Sequence, residues 1–283
     1  PNFLYRNDGG RFTEVGTISG AAYAEDGRSQ AGMGVDAGDY DNDGRMDLFV
    51  TNFSHDYSTL RHNEGGLFFL DVSVEAGIGA ATMTTLGWGT GFLDYDNDGF
   101  KDLFLANGHV FPSIDAFNIG TTWKQKNQLF RNVDGTRFRD VSADAGPPFR
   151  ELHSARGCAF GDLDDDGDLD IVVNNIDEIP TLLRNDGGSR ARWIGFRLAG
   201  RGGNRHAVGA RVTVVAGGRR QTGEVHAGSS HNSSHDPRLH FGLGGAAAVD
   251  RVEIRWPSGR TQTVTGLTAG RYHVITEPGG AAP

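Results

Sequence analysis

Three short segments of the chain concentrate aspartate at a fixed spacing around a glycine. They read DYDNDGRMD, DYDNDGFKD and DLDDDGDLD, and they begin at Asp39, Asp94 and Asp162. Each segment places carboxylates at its first, third, fifth and ninth positions and glycine at its sixth. Like charges this close repel one another unless a cation neutralises them. The spacing therefore indicates one cation site in each segment, and we call the segments acidic loops 1, 2 and 3.

The donor atoms of these loops select the kind of cation. When the backbone curls around a point, alternate carboxylates converge on it, the glycine permits the sharp turn, and the seventh carbonyl adds an oxygen. Ca²⁺ takes roughly six to eight such oxygens, Mg²⁺ fits an all-protein cage less well, and softer metals find no thiolate or imidazole. The sequence thus predicts three Ca²⁺ sites. The expected ligands, with Arg45, Phe100 and Asp168 acting through their backbone carbonyls, are Asp39, Asp41, Asp43, Arg45 and Asp47; Asp94, Asp96, Asp98, Phe100 and Asp102; and Asp162, Asp164, Asp166, Asp168 and Asp170.

Two other interpretations of the loops are an EF-hand and a plain polar turn. An EF-hand needs a bidentate acid at its twelfth position, where this chain carries Val50, Leu105 and Val173 inside apolar runs. The EF-hand is therefore excluded. Asp and Asn also favour ordinary turns, but turn propensity alone does not require acids at the same four positions in three copies.

Short apolar segments flank each acidic loop and must position it. A glycine-bearing stretch precedes each loop, and MDLFVTN, KDLFLAN and LDIVVNN follow, which are patterns typical of strands. A further phrase recurs as LYRNDGG, LRHNEGG, LFRNVDG and LLRNDGG, where Asn, Asp and Gly predict hairpin turns. Each full repeat therefore predicts four antiparallel strands, with the acidic loop joining the first strand to the second. Along the chain the units supply two, four, four and three strands, with an insertion around residues 110–126.

Repeated four-stranded units are typical of β-propeller blades. The pattern D-x-D-x-D-G-x-x-D and its flanks, over residues 1–186, resemble the FG-GAP or VCBS repeats of integrin-α-like propellers. The resemblance implies an all-β fold with Ca²⁺ hairpin loops. Because the strand count is too small for a closed ring, we expect residues 1–186 to be the C-terminal part of a larger, here partial, propeller. Its unfinished blade edges are then expected sites of self-association.

The composition changes after residue 186. Alternating apolar and polar residues predict an antiparallel β-sandwich or barrel over residues 187–277, followed by a flexible tail over 278–283. The phrases VGARVTV, DPRLHFGLG and VEIRWPSG are similar to those of the ASPIC/UnbV domain. The chain departs from that family at GSSHNSSH, where relatives tend to carry an aromatic-bearing Ser-Tyr phrase. His231 and His235 in this stretch are predicted to be solvated loop residues.

Composition limits the classes of partner. The formal net charge of −9 repels a phosphate backbone, so no nucleic-acid partner is expected. No apolar run approaches the roughly 20 residues that span a bilayer, so no membrane span is expected. The single cysteine, Cys158, has no internal disulfide partner and is predicted to be a buried apolar residue.

Tryptophans and glycosylation sequons add further expectations. Trp123, in the insertion, is a candidate for an exposed contact, and Asn52 and Asn232 begin sequons. Three tryptophans in strand-like runs are predicted to pack in the interior, namely Trp88, Trp193 and Trp256.

These observations favour a noncatalytic protein. The sequence contains no G-x-S-x-G, H-E-x-x-H or P-loop motif and no cysteine–histidine pair. We expect a calcium-stabilised protein that is extracellular, at the cell surface or periplasmic, because millimolar calcium keeps even weak loops occupied. Its loops would bind a protein or glycan partner for adhesion or scaffolding. The alternatives are a calcium-dependent carbohydrate-active enzyme, whose paired carboxylates could lie among the many aspartates, and a subunit of a secreted filament or complex.

Overall fold

The computed structural model describes residues 1–279, and nearly all of its regular structure is β-strand. The first thirteen strands form four antiparallel sheets of two, four, four and three strands, as the repeats predicted. The bounds of these strands are β1 Tyr5–Asn7 and β2 Phe12–Glu14; β3 Val35–Gly38, β4 Asp47–Val50, β5 Thr59–Gly65 and β6 Phe68–Asp71; β7 Gly87–Leu93, β8 Asp102–Asn107, β9 Gln128–Val133 and β10 Arg137–Asp140; and β11 Ala155–Gly161, β12 Asp170–Asn175 and β13 Thr181–Leu183.

The sheets pack face to face in chain order. Strand β8 shows this directly, because its side chains alternate between two hydrophobic clusters. Leu103 and Leu105 lie in the cluster shared with the preceding sheet, whereas Phe104 and Ala106 lie in the cluster shared with the following sheet. A strand buried on both faces reads as a continuous apolar run, which explains the segment LFLA. This stacking of small antiparallel sheets is that of β-propeller blades.

The innermost strands β3, β7 and β11 lie side by side, and glycine allows their backbones to touch. A Cβ atom on Gly34 would overlap the carbonyl oxygen of Trp88. A Cβ atom on Gly89 would lie 2.6 Å from the backbone nitrogen of Cys158. The glycine-bearing stretches that precede the acidic loops are therefore required by close approach between sheets.

Short helical segments occupy some of the connections. A four-residue α-helix, α1, covers Gly79–Thr82, and 3₁₀ turns cover Pro112–Phe117, Pro147–Arg150 and Gly188–Arg190. The first of these 3₁₀ turns lies within the predicted insertion.

The last seven strands form two further sheets, which we call the C-terminal unit. Their bounds are β14 Arg192–Ala199, β15 Arg211–Ala216, β16 Arg219–Glu224, β17 Leu239–Gly244, β18 Arg251–Arg255, β19 Thr261–Val264 and β20 Tyr272–Thr276. The sheet orders are β17-β14-β20 and β16-β15-β18-β19. Both sheets contribute to one core, with Phe196 and Phe241 from the first and Val212 and Ile254 from the second. Strand β20 runs parallel to β14, which differs from the all-antiparallel expectation, because alternation predicts a strand and not its partner. The predicted tail lies outside the described residues from residue 280 onward.

One segment of the C-terminal unit, residues 228–236, lies along the inner strands, and we call it the inner-strand loop. The amide of Ser230 donates to the carbonyl of Val35 in β3 at 2.8 Å. The hydroxyl oxygen of Ser230 accepts a hydrogen bond from the amide of Thr90 in β7 at 2.7 Å. The loop therefore joins the C-terminal unit to the centre of the stacked sheets.

The prediction of solvated histidines in this loop is wrong. The ring of His235 stacks on Phe160 with centroids 4.2 Å apart, and the ring of His231 packs against Trp88 at 4.8 Å. The amide of Asp236 donates to the carbonyl of Phe160 at 2.9 Å, which adds a contact with β11. Burial lowers the pKa of His235 to about 4. These histidines pack against the sheets because the loop that carries them is hydrogen-bonded to residues of the three inner strands β3, β7 and β11.

Candidate cation-binding loops

Each acidic loop connects the first two strands of its sheet, as predicted. The sixth residues, Gly44, Gly99 and Gly167, have φ angles of 88°, 89° and 97°, which side chains rarely adopt. This backbone turns each loop back on itself, so that the amide of the glycine donates to the first aspartate. The distances are 3.1 Å for Gly44 to Asp39, 2.9 Å for Gly99 to Asp94 and 3.1 Å for Gly167 to Asp162.

The loops bring carboxylate oxygens together, although not the same set in every copy. In each loop, oxygens from three aspartates lie within 4.8 Å of one another. In loops 1 and 2 these come from the first, third and ninth positions, and in loop 3 they come from the first, third and fifth. The groups are Asp39, Asp41 and Asp47; Asp94, Asp96 and Asp102; and Asp162, Asp164 and Asp166. Asp43 lies instead in a group with Asp41 and His62.

Burial makes the ionised state costly for the first aspartates of loops 1 and 2, whereas two of the three grouped carboxylates of loop 3 are exposed. Burial, followed by the charges of Asp41, Asp43 and Asp47, raises the pKa of Asp39 to about 7. Burial likewise raises the pKa of Asp94 to about 7. One buried oxygen of Asp39, Oδ1, has no hydrogen-bond donor. Carboxylates that are buried, crowded and short of donors fit a site for a divalent cation, which would neutralise them.

The ninth aspartate of each loop is held by an asparagine from the third strand of the same sheet or the segment after it. The backbone amides of these asparagines donate to the ninth aspartates. The distances are 2.8 Å for Asn63 to Asp47, 2.8 Å for Asn132 to Asp102 and 2.9 Å for Asn185 to Asp170. The sequence predicted only a turn role for these asparagines, and they do serve it, since the Oδ1 of each accepts from a turn glycine. The recurring R-N or H-N phrase was the signal for this second role.

Two of these asparagines also connect neighbouring sheets. The side-chain amide of Asn132 donates to the carbonyl of Tyr40 in loop 1 at 2.9 Å. That of Asn185 donates to the carbonyl of Tyr95 in loop 2 at 2.7 Å. Each acidic loop is thus braced by its own sheet and, for loops 1 and 2, by the next one.

Basic side chains make the three loops chemically unequal. In loop 1, Nδ1 of His62 lies 3.3 Å from Asp47. In loop 2, Arg131 pairs with Asp96 at 2.8 Å and with Asp98 at 3.2 Å. In loop 3 the corresponding Arg184 pairs with the exposed Asp186 instead of the loop. Loops 1 and 2 therefore have a cationic or titratable neighbour from their own sheet.

Other residues singled out from the sequence are accounted for. Cys158, Trp193 and Trp256 are buried, as predicted. Trp88 is half-buried and donates from its indole nitrogen to the carbonyl of Gly108 at 2.7 Å. Trp123 is also half-buried, and its role as an exposed contact stays a prediction.

The two sequons differ in accessibility. The side chain of Asn52 is buried, and its amide donates to the carbonyl of Tyr57 at 2.8 Å and to the hydroxyl of Thr59 at 3.1 Å. This asparagine is inaccessible for glycosylation in the folded chain. Asn232 is exposed in the inner-strand loop.

The stacked sheets and their acidic loops define a β-propeller of FG-GAP-like repeats. The family model of the FG-GAP-like repeat matches residues 1–50, 39–105 and 94–173, and the chain belongs to this family. Residues 200–282 match the family model of ASPIC and UnbV, in agreement with the phrases in the C-terminal unit.

Individual relatives carry both regions. Cartilage acidic protein 1 of Homo sapiens is 26% identical over 273 residues, and that of Xenopus tropicalis is 24% identical over 276 residues. The matches cover 92% and 93% of this chain but 38% and 39% of the relatives. The chain therefore spans less than two-fifths of the length of these curated relatives. Within residues 1–279, no helix is long and apolar enough to cross a membrane.

Proposed function

We propose that the three acidic loops bind Ca²⁺ and that the bound ions stabilise the stacked sheets. The observation that carries this proposal is the convergence of three carboxylates within 4.8 Å in each loop. Converging charges oppose folding, most strongly in loops 1 and 2 where they are more buried, and a divalent cation held by the same oxygens removes that opposition. The three-aspartate groups offer only oxygen donors, which suit Ca²⁺ better than softer metals. Contrary to the expectation that no imidazole is available, His62 places one beside loop 1, in a group with Asp41 and Asp43. The ligands we propose are those expected from the spacing, including the three backbone carbonyls.

The effect of the ion on the sheet follows from hydrogen bonds already present. When bound, Ca²⁺ would supply positive charge that keeps the ninth aspartate ionised. That aspartate accepts from the amide of the asparagine at the third strand, at 2.8 Å for Asp47 and Asn63. An ionised carboxylate is a stronger acceptor than a protonated one. The loop would thereby hold three strands of a sheet in register.

We further propose that the protein acts outside the cell as a calcium-stabilised scaffold that binds other proteins through its loops. The propeller family and the relatives support this, since the name of those relatives refers to cartilage. Extracellular calcium is abundant enough to fill loops of low affinity. Adhesion, a glycan partner and self-association through strand edges stay predictions.

Calorimetry and thermal unfolding test the calcium proposal. Protein stripped of metal is titrated with Ca²⁺ and, separately, with Mg²⁺. We expect about three sites for Ca²⁺, weaker binding of Mg²⁺, and a Tm that rises with Ca²⁺, since a site at a hundred times its Kd adds about 2.7 kcal/mol. Absence of binding heat together with an unchanged Tm would overturn the proposal.

A further inference from the structure

Each acidic loop accepts a hydrogen bond from an arginine of the C-terminal unit. The three arginines come from β15, from β16 and from the residue before β17, and each donates to a backbone carbonyl of a different loop. Arg211 donates to Gly44 of loop 1 at 2.5 Å, Arg219 to Asp98 of loop 2 at 2.5 Å, and Arg238 to Asp162 of loop 3 at 2.6 Å. The C-terminal unit therefore sits on the end of the sheets that carries the acidic loops.

Loop 2 contacts the C-terminal unit through two further hydrogen bonds from backbone amides and through an aromatic ring. The amide of Gly242 in β17 donates to Oδ2 of Asp94, an expected cation ligand, at 3.2 Å. The amide of Gly244 donates to the carbonyl of Asn97 at 2.9 Å. The guanidinium of Arg219 lies 4.2 Å from the ring centroid of Phe100. One proposed ligand of loop 2 is thus oriented by the other unit of the chain.

The fourth residue of loop 3 contacts the C-terminal unit, whereas the fourth residues of loops 1 and 2, Asn42 and Asn97, donate hydrogen bonds to the next acidic loop. The fourth residue of loop 3, Asp165, pairs with Arg238 at 2.8 Å. Arg238 also pairs with Asp236 at 2.7 Å and stacks on Tyr272 at 4.3 Å from the ring centroid. Arg238 therefore bonds both to a backbone carbonyl of loop 3 and to one of its side chains, that of Asp165.

We propose that cation binding in the acidic loops and docking of the C-terminal unit are positively coupled, with Arg219 as the positioning residue of loop 2. This inference rests on the proposed function, because it requires that the loops bind Ca²⁺. A bound ion would fix the loop shape that presents the carbonyl of Asp98 to Arg219. Without the ion, repelling carboxylates loosen the loop, and the arginine loses its acceptor.

The sign of the coupling is decided by where the arginine binds. A guanidinium near a Ca²⁺ site repels the ion, which acts against positive coupling. Arg219, however, donates to a neutral carbonyl on the loop rather than to a ligand carboxylate. Its main effect is on the position of the loop, and partners that orient metal ligands typically change affinity by about tenfold or more. Linkage makes the effect reciprocal, so the ion must strengthen docking by the same factor.

The first test compares two adjacent arginines in β16. Arg220 pairs with Glu253 at 3.0 Å, away from the loops, and R220A is therefore the matched control for R219A. In calorimetric titration of the full chain, we expect R219A to weaken one Ca²⁺ site by about tenfold, whereas R220A leaves all sites unchanged. Equal affinities in R219A and the unaltered protein would overturn the coupling at this residue.

The second test measures docking without any substitution. Hydrogen exchange is followed at the amides of Gly242 and Gly244, with Ile254 in the core of the C-terminal unit as the reference. We expect Ca²⁺ to slow exchange at both glycines and to leave Ile254 unchanged. If Ca²⁺ binds but the glycine amides exchange at the same rate with and without it, the coupling is wrong and the proposed function stands. If the unaltered protein binds no Ca²⁺, both are wrong.

Discussion

The side-chain amide of Asn97 donates a hydrogen bond of 3.0 Å to the carbonyl of Gly167, and so joins acidic loop 2 to acidic loop 3. Asn42 makes the equivalent connection from loop 1 to the carbonyl of Gly99 in loop 2, at 2.8 Å. In both cases the fourth residue of one loop reaches the sixth residue of the next. The three loops are therefore linked neighbours along one edge of the propeller.

Substituting Asn97 and Asn42 by alanine compares the stability lost with a buried hydrogen bond and with a half-buried one. Asn97 is fully buried, donates also to the carbonyl of Gly188 at 3.0 Å, and pairs through Oδ1 with His240 at 2.7 Å. N97A strands several buried polar groups, so we expect a loss of about 2–4 kcal/mol in the free energy of unfolding. N42A removes one half-buried bond and should cost about 1 kcal/mol. Urea unfolding in saturating Ca²⁺ measures both, and equal losses would contradict this ranking.

The pH dependence of the cation-free protein follows from the buried aspartates. The pKa values of Asp39 and Asp94 rise from 3.8 to about 7, chiefly through burial. The folded chain binds protons at these carboxyls that the unfolded chain releases, which makes the free energy of unfolding fall as pH rises from about 4 to about 7. His235 and His240, whose pKa values burial lowers to about 4 and about 3, oppose this up to about pH 6.5. The carboxyls outnumber them, because burial also raises the pKa of Asp47 to about 7, so the net free energy of unfolding falls. Because Ca²⁺ needs ionised ligands, its stabilising effect grows over the same interval.

Urea unfolding of metal-stripped protein at about pH 5 and about pH 7.5, with and without Ca²⁺, measures this dependence. We expect lower stability at the higher pH without the ion and a larger gain from Ca²⁺ at that pH. Stability of the stripped protein that is constant or rises over this range would contradict the expectation.

Gly44 and Gly99 have nearly the same φ angle but different surroundings, so substituting each by alanine distinguishes backbone strain from a steric contact with the C-terminal unit. Gly44 has a φ of 88° and open space beyond its Cα, whereas Gly99 has a φ of 89° and faces Arg219 and the carbonyl of Gly242. G44A should cost about 1–2 kcal/mol through its backbone conformation alone. G99A should cost more, because a methyl group also pushes the guanidinium of Arg219 away from loop 2 and crowds the carbonyl of Gly242. Thermal unfolding in saturating Ca²⁺ compares them, and identical Tm values would argue against the steric contact.

The ninth aspartate of loop 2 offers a test that depends on the ion. Asp102 is fully buried and accepts from the amides of Asn132 at 2.8 Å and Tyr95 at 3.1 Å. D102N removes a proposed ligand and places an amide donor against a backbone donor, so with Ca²⁺ present we expect a loss of about 2–4 kcal/mol. Without Ca²⁺ the loss should be smaller, because one repelling charge is also removed.

The control for this substitution is D186N, since Asp186 is exposed and pairs with Arg184 outside the acidic loops. It should leave Tm unchanged with or without the ion. A drop in the Tm of D102N that is the same in both conditions would mean that Asp102 stabilises the fold without a role in cation binding.

Local patterns in the sequence predicted the sheets well, because each repeat encodes its own strands and turns. The run LFLA of β8 and the glycine at the sixth position of each loop needed no knowledge of distant residues. Contacts between remote segments were not visible in this way. His235 lies in a polar stretch, yet its partner Phe160 is 75 residues away in the chain. The hydrogen bond from Arg219 to the carbonyl of Asp98 in loop 2 joins residues that are 121 apart in the chain.

The inner-strand loop also sets an order of assembly. A ribosome makes strands β3, β7 and β11 well before it makes residues 228–236, and Ser230 is the residue that bonds to the first two of these strands. Until the loop emerges, Val35 and Thr90 must satisfy those backbone groups with water. These two bonds can form only once that late segment of the chain exists, so an incomplete chain leaves inner-strand backbone groups open to pairing with another strand.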